Sequence, residues 1–111
     1  MNERAKQWNR FISEICMRDC DSLNERQRDA VICFRYDAEM QNGGHSAYFD
    51  SDPIAAPEET ESAIRRIGGD AIADNFRKAA KTDNAYYDFD PSLLTILMQY
   101  VDRHSDQILN Q

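Results

Sequence analysis

The glycines of this 111-residue chain stand in two adjacent pairs, and this placement constrains the fold strongly. The first pair lies in Asn42-Gly43-Gly44 and the second is Gly68-Gly69, and each follows a segment whose apolar residues recur with helical spacing. Glycine adopts left-handed backbone conformations without a steric penalty, and it therefore commonly ends helices. Four glycines and three prolines are too few for the many tight turns of a β-protein. The sequence predicts an all-α fold.

Five main helices are predicted from the apolar periodicity and from residues that begin and end helices. The first spans about residues 3–18, and its apolar face consists of Trp8, Phe11, Ile12, Ile15 and Cys16. The second begins at a capping box formed by Ser22 and Glu25, in which each side chain bonds the other residue's backbone N–H. It runs to about Gln41, where the first glycine pair ends it.

The remaining helices are predicted from the same kinds of residue. A short helical turn over residues 47–49 follows the first glycine pair. Pro57 suits the first position of the third helix, because its missing N–H has no helical partner there. Asp70 is expected to cap the fourth helix, and Asp90 to cap the last, with Pro91 at its first position. Residues 1–111 are therefore expected to form a single compact bundle.

The net charge of −7 is distributed unevenly along the chain. Residues 36–64 and 82–102 contain eleven acids and neither lysine nor arginine, and we call these two segments the base-free tracts. Direct binding to nucleic acid requires a basic surface, so it is not expected here. A net charge of this size also agrees with an ordinary solvated surface, because small domains use roughly 2–8 charges to remain soluble.

The cysteine content indicates a reducing compartment. Cys16, Cys20 and Cys33 are odd in number and lie in helix-like segments, which favours reduced thiols over a disulfide framework. The N-terminal residues contain no apolar run of signal-peptide length, and no segment approaches the ~20 apolar residues that cross a bilayer. We therefore expect a cytoplasmic protein without membrane contact.

No known catalytic motif is present, so we expect no enzymatic activity, no catalytic residue and no cofactor. One alternative remains, because Asp88 and Asp90 could act as a pair of carboxylates in a small enzyme. An exposed, flat loop at these two residues would argue against that alternative.

Metal binding is not expected either. Asp50, Asp52 and Glu61 match positions 1, 3 and 12 of a calcium-binding loop. The match fails in the middle, because Ile54 stands at a ligand position and Ala55 stands where the loop needs glycine.

A family resemblance rests on the first glycine pair and the residues that follow it. Asn42-Gly43-Gly44 precedes Tyr48-Phe49, and an apolar helix ending in Ile67-Gly68 comes next. Over residues 23–82 this arrangement resembles a bacterial domain-of-unknown-function family that includes DNA mimic protein 19. His45 and Ala47 depart from its pattern, which usually has an aromatic hydrocarbon and glutamine there. The resemblance implies an all-α fold and, for the named member, an acidic surface that imitates DNA phosphates and occupies a DNA-binding protein.

Together these features predict a non-catalytic bacterial interaction protein, with a DNA-binding protein as the hypothesised partner of an acidic decoy surface. The residues expected to bind this partner are Asp50, Asp52, Glu58, Glu59 and Glu61. The residues expected to mark the fold are Asn42, Gly43, Gly44, Tyr48 and Phe49. Two alternatives remain: an immunity or antitoxin-like protein, and a structural oligomer formed through Tyr86, Tyr87 and the last helix. The sequence leaves open whether the chain is a monomer or a homodimer.

Overall fold

The computed structural model describes residues 2–51 and 55–110, and no strand occurs in these ranges. The α-helices among them are α1 (Glu3–Arg10), α2 (Glu25–Asp50), α3 (Pro57–Gly68), α4 (Asp70–Ala79), α5 (Asn84–Asp88), α6 (Leu93–Arg103) and α7 (Ser105–Ile108). Five of these helices have seven or more residues, while α5 and α7 are single short turns. The all-α prediction with five main helices is confirmed.

The N-terminal helix differs from its predicted form. Regular α1 ends at Arg10, and Phe11–Ile15 continue as a π-helical segment in which the Cys16 N–H donates to the Phe11 carbonyl at 3.0 Å. The predicted helix over residues 3–18 was therefore wrong in its regularity and in its length. Apolar periodicity cannot distinguish the two forms, because one wider turn changes the spacing by a single residue. Both Phe11 and Ile15 are fully buried.

The capping box of α2 lies two residues later than predicted. Asn24, not Ser22, caps the helix: its side chain accepts from the Gln27 N–H at 2.8 Å, and the Gln27 side chain accepts from the Asn24 N–H at 2.9 Å. Ser22 instead ends a short 3₁₀ turn and donates to the Asp19 carbonyl. The packing of Gln27 explains the choice, because this residue is buried and its amide also donates to the Ile108 carbonyl.

Helix α2 does not end at the first glycine pair but bends there. Gly44 has φ 78° and ψ −163°, which no helical residue adopts, and helical geometry resumes immediately after it. We call residues 25–43 the first arm and residues 45–50 the second arm. The predicted break and the predicted helical turn after it are both present, although the turn is longer than residues 47–49.

Two further cap predictions were wrong. Asp70 is the first residue of α4 and makes no cap, since Gly69, with φ 96°, occupies that position. Asp90 lies in the loop before α6, and the cap is Ser92, whose hydroxyl accepts from the Thr95 N–H at 3.2 Å. Ser92 has the extended backbone conformation of a capping residue, whereas Gly69 precedes α4 with a positive φ and has no side chain to make a cap. By contrast, Pro57 begins α3 as predicted.

The core forms where α2 packs against α3, α6 and α7, with α3 also contacting α4 and α6. α1 lies on α6, and its Trp8 ring stacks on Phe11 with 5.3 Å between centroids. The largest fully buried side chains are Tyr36, Phe11, Ile15, Met40, Ile64 and Leu97. Among the described residues, no helix has the length and apolar content that spanning a membrane requires.

Candidate functional site

The bend at Gly44 is stabilised by a residue from a distant part of the chain. The backbone N–H of His45, which has no helical acceptor after the bend, donates to Asp83 Oδ1 at 3.0 Å. The carboxylate occupies the space where any other residue at position 44 would carry its Cβ, since a Cβ there would lie 2.5 Å from the Asp83 Cγ. The second arm therefore has its N-terminal cap supplied by the loop between α4 and α5.

An aromatic cage surrounds the ring of His45, which is 5% exposed. Tyr36 comes from the first arm, Tyr48 and Phe49 from the second arm, and Phe76 from α4, with ring centroids 5.1–5.8 Å from that of His45. His45 Nε2 lies 3.3 Å from the Tyr36 hydroxyl. His45 thus fills the aromatic position that the resemblance assigns to it, but with a group that can bind a proton.

The predicted fold-marking residues differ in how much they contribute to the cage. Tyr48 is buried, and its hydroxyl shares a hydrogen bond of 2.8 Å with the hydroxyl of Thr60 on α3. Phe49 contacts the rings of His45 and Tyr48 but remains half exposed. Asn42 and Gly43 are exposed. Gly44 and Tyr48 therefore determine the local structure, and Phe49 leaves part of its ring at the surface.

The five predicted partner-binding acids have different surroundings. Asp50 and Glu58 are exposed and make no ion pair within residues 2–51 and 55–110, while Asp52 lies outside the described residues. Glu59 accepts two hydrogen bonds from Arg28, at 2.6 and 3.0 Å. Glu61 has a largely buried side chain. Partner binding by this set stays a prediction, and the structure separates its members into free and paired carboxylates.

Glu61 joins α3 to α4. Arg77 donates to both of its carboxylate oxygens, at 2.7 and 2.9 Å, and Arg65 approaches one of them at 3.4 Å. The hydrogen bond from Arg77 lowers the pKa of Glu61 below its usual value, and Arg65 acts in the same direction. Arg65 also contacts Asp70 and Asp74 on α4. This carboxylate is thus engaged in holding two helices together.

The structure brings the two base-free tracts together. Besides the contact between Asp83 and His45, the Tyr86 hydroxyl donates to the Asp37 carboxylate. The Tyr87 hydroxyl donates to the Met40 carbonyl. α5 therefore lies along the end of the first arm, and the two tracts, which are distant in sequence, contact each other in the fold. Tyr87, proposed above as an oligomer contact, is 47% exposed, whereas Tyr86 is buried.

Several ion pairs were missed in the sequence. Arg66 donates to both carboxylate oxygens of Asp29 at 2.7 Å each, and this pair joins α3 to the first arm. Asp29 is 7% exposed, and a carboxylate that is buried to this degree needs a partner. The position of Asp29 within the apolar stripe of the predicted second helix indicated that it needs a partner. The sequence did not identify that partner as Arg66, which is 37 residues away.

The three cysteines are free. Burial raises the pKa of Cys16 to about 12 and raises that of Cys33 further, while Cys20 is partly exposed. Within the described residues no group of three histidines, cysteines or acids is arranged to hold a metal ion.

Native alkylation should therefore discriminate among the thiols. We expect iodoacetamide at pH 8 to modify Cys20 quickly and Cys16 and Cys33 only after denaturation, because the thiolate is the reactive form and burial disfavours it. Mass spectrometry of peptides from native and urea-treated protein measures the difference. Rapid native labelling of Cys33 would contradict the burial described above.

A cavity of about 160 Å³ lies between the two arms of α2 and the start of α3. Ile32, Tyr36 and Tyr48 form part of its wall, and Arg35 and Glu39 contribute charged groups. Sites for small molecules usually measure about 300–1,000 Å³. Asp88 and Asp90 do not line this cavity and are both exposed. This cavity is therefore smaller than a typical small-molecule site.

The model of the family described as DMP19-like protein matches residues 21–110. The chain belongs to the DMP19-like family. The match covers α2 to α7, so the predicted membership of this family is confirmed. No curated protein and no solved structure matches the chain significantly. Membership in the DMP19-like family agrees with the all-α fold, and α1 lies outside the matched range.

Proposed function

We propose that this DMP19-like protein is a non-catalytic interaction protein whose acidic surface occupies the DNA-binding site of a partner protein. The observation that carries the proposal is the concentration of eleven acids in two base-free tracts that adjoin in the fold. The remainder of the chain has nine acids and thirteen bases, so the excess of negative charge lies in these tracts. Membership in the DMP19-like family supports a role in protein binding.

Four exposed carboxylates in the tracts are available to a partner. Asp50 and Glu58 belong to the first tract, Asp88 and Asp90 belong to the second, and none makes an ion pair among the described residues. B-DNA presents about one negative charge per 1.7 Å, and proteins that bind it provide lysine and arginine for those charges. Free carboxylates attract the same side chains, whereas Glu59 and Glu61 are already neutralised by arginines of this chain.

Salt dependence and charge removal test the proposal. The double variant Asp50→Asn, Glu58→Gln is expected to bind the partner about tenfold more weakly at 50 mM NaCl, because exposed charges steer and stabilise such complexes. The difference should shrink at 500 mM NaCl, where the screening length falls to about 4–5 Å. Partners are captured on the immobilised protein, identified by mass spectrometry and, once purified, measured by calorimetry.

The control is Glu3→Gln, Asp21→Asn, which removes the same charge from exposed residues outside the tracts. It should bind almost as the wild type does. Duplex DNA should displace a DNA-binding partner from the immobilised protein, whereas it should leave a bound toxin in place if the protein is immunity-like. Equal affinities for both double variants, or binding insensitive to salt, would refute the acidic decoy.

A further inference from the structure

His45 contacts three parts of the structure: it belongs to the second arm of α2, and it packs against the first arm and against α4. Its backbone N–H binds Asp83, its ring contacts Phe76 on α4, and its Nε2 faces the hydroxyl of Tyr36 on the first arm. Among the described residues, only His45 both donates its backbone N–H to Asp83 at the bend and places its ring inside the aromatic cage. The position of the second arm therefore depends on how this one residue packs.

The surroundings of the His45 ring favour its neutral form over its protonated form. Nδ1 is buried and makes no hydrogen bond of normal geometry to any described residue, so a proton there would have only the backbone of Phe76 as a weak acceptor. A buried donor without a partner costs on the order of 1–3 kcal/mol, and more when it is charged. Protonation would place a cation at a site that is 5% exposed, where it would lose most of its hydration.

We propose that His45 is a pH-sensitive lock, and that a proton on its ring releases the second arm from α4 and the first arm as the pH falls below neutrality. Release would mobilise Tyr48, Phe49 and Asp50 together, because they lie on the same six-residue arm. The proposal concerns the conformation of this arm and does not depend on the identity of a partner.

The groups that face His45 come from every element around it. Tyr36, Tyr48, Phe49 and Phe76 present neutral rings, and Asp83 presents a carboxylate from the loop between α4 and α5. Burial lowers the pKa of His45 below its usual value, while the Asp83 carboxylate and the Phe76 backbone oppose this with smaller effects. The folded state therefore favours the neutral ring.

The second arm should be held less firmly as the pH falls. Because the pKa is lower when the ring is caged than when the arm is released, the released state binds more protons as the pH falls below about 6.5. The stabilisation is complete above that pH and decreases below it, until the caged ring also binds its proton. In this window the opening equilibrium rises by a factor approaching ten for each pH unit.

Hydrogen exchange tests the lock directly. Protection factors of amides in residues 46–50, corrected for intrinsic exchange rates, should fall several-fold between pH 7 and 5.5 in the wild type. In His45→Phe, which keeps an aromatic ring in the cage and cannot titrate, they should stay constant. His104→Gln is the matched control, because it removes the other histidine, at the end of α6, and should leave the fall unchanged.

NMR titration of the histidine rings in the wild type provides a measurement that needs no variant. The His45 ring should titrate below pH 6.5 in the folded protein, and its titration should accompany the loss of protection in the second arm. A His45 ring that titrates at or above pH 6.5, or a fall in protection that persists in His45→Phe, would overturn the proposal.

Discussion

Replacing Gly44 with alanine is expected to lower the free energy of unfolding by more than about 3 kcal/mol. Two costs combine. The backbone at φ 78° and ψ −163° belongs to a region that only glycine occupies readily, and forcing another residue there costs on the order of 1–3 kcal/mol. The new Cβ would also collide with the carboxylate of Asp83, whose position is fixed by the His45 N–H. Urea unfolding of the variant measures the sum.

Gly69→Ala is a matched control for this prediction. Gly69 has φ 96° and ψ −175°, close to the conformation of Gly44, but a Cβ there would meet no atom within 4 Å. Gly69→Ala should lower the free energy of unfolding only by the cost of the backbone conformation, about 1–3 kcal/mol. The double variant Gly44→Ala, Asp83→Ala lacks the colliding carboxylate, so it should recover part of the stability that the collision removes. Equal losses for Gly44→Ala and Gly69→Ala would show that Asp83 does not crowd position 44.

Truncation of Phe11 to alanine is expected to lower the free energy of unfolding by about 3–5 kcal/mol, the usual range for a large buried aromatic side chain. Phe11 is fully buried and packs against Trp8 and against Phe34 of the first arm, with centroids 5.3 and 5.9 Å away. It belongs to the π-helical segment, before the range that the family model matches. Thermal or urea unfolding, followed by Trp8 fluorescence, measures the loss.

Met17→Ala provides the comparison, because Met17 follows the same segment and is 79% exposed. It should change stability by less than about 0.5 kcal/mol. A large loss for Phe11→Ala would show that the N-terminal helix is part of the core, although it lies outside the family match. A loss below about 1 kcal/mol would mean that this helix is dispensable for folding.

The positions of the main helices could be predicted because helical periodicity is a local property. Trp8, Phe11 and Ile15 lie on one helical face whatever they pack against, and Pro57 begins α3 because of its own ring. Cap residues were harder to assign. Ser22 and Asn24 stand two positions apart, as do Asp90 and Ser92, and each can cap a helix. The backbone conformation decides between them, and packing of residues such as Gln27 sets that conformation.

The candidate site could be predicted only in part, for a related reason. The excess of acids in two tracts is visible in the sequence, because charge is a property of each residue. Which carboxylates remain free depends on arginines elsewhere, such as Arg28 for Glu59 and Arg77 for Glu61. Those partners are 31 and 16 residues away, and no local pattern connects them.

The sequence by itself determined that the chain is helical and that it changes direction at Asn42-Gly43-Gly44. Only the tertiary structure decided that the helix bends there and continues, and that Asp83 provides the cap. Gly44 supplies a local backbone freedom that the sequence reveals directly. The carboxylate that makes this freedom necessary comes from 39 residues further along the chain, and its position depends on the packing of α4 and α5 against α2.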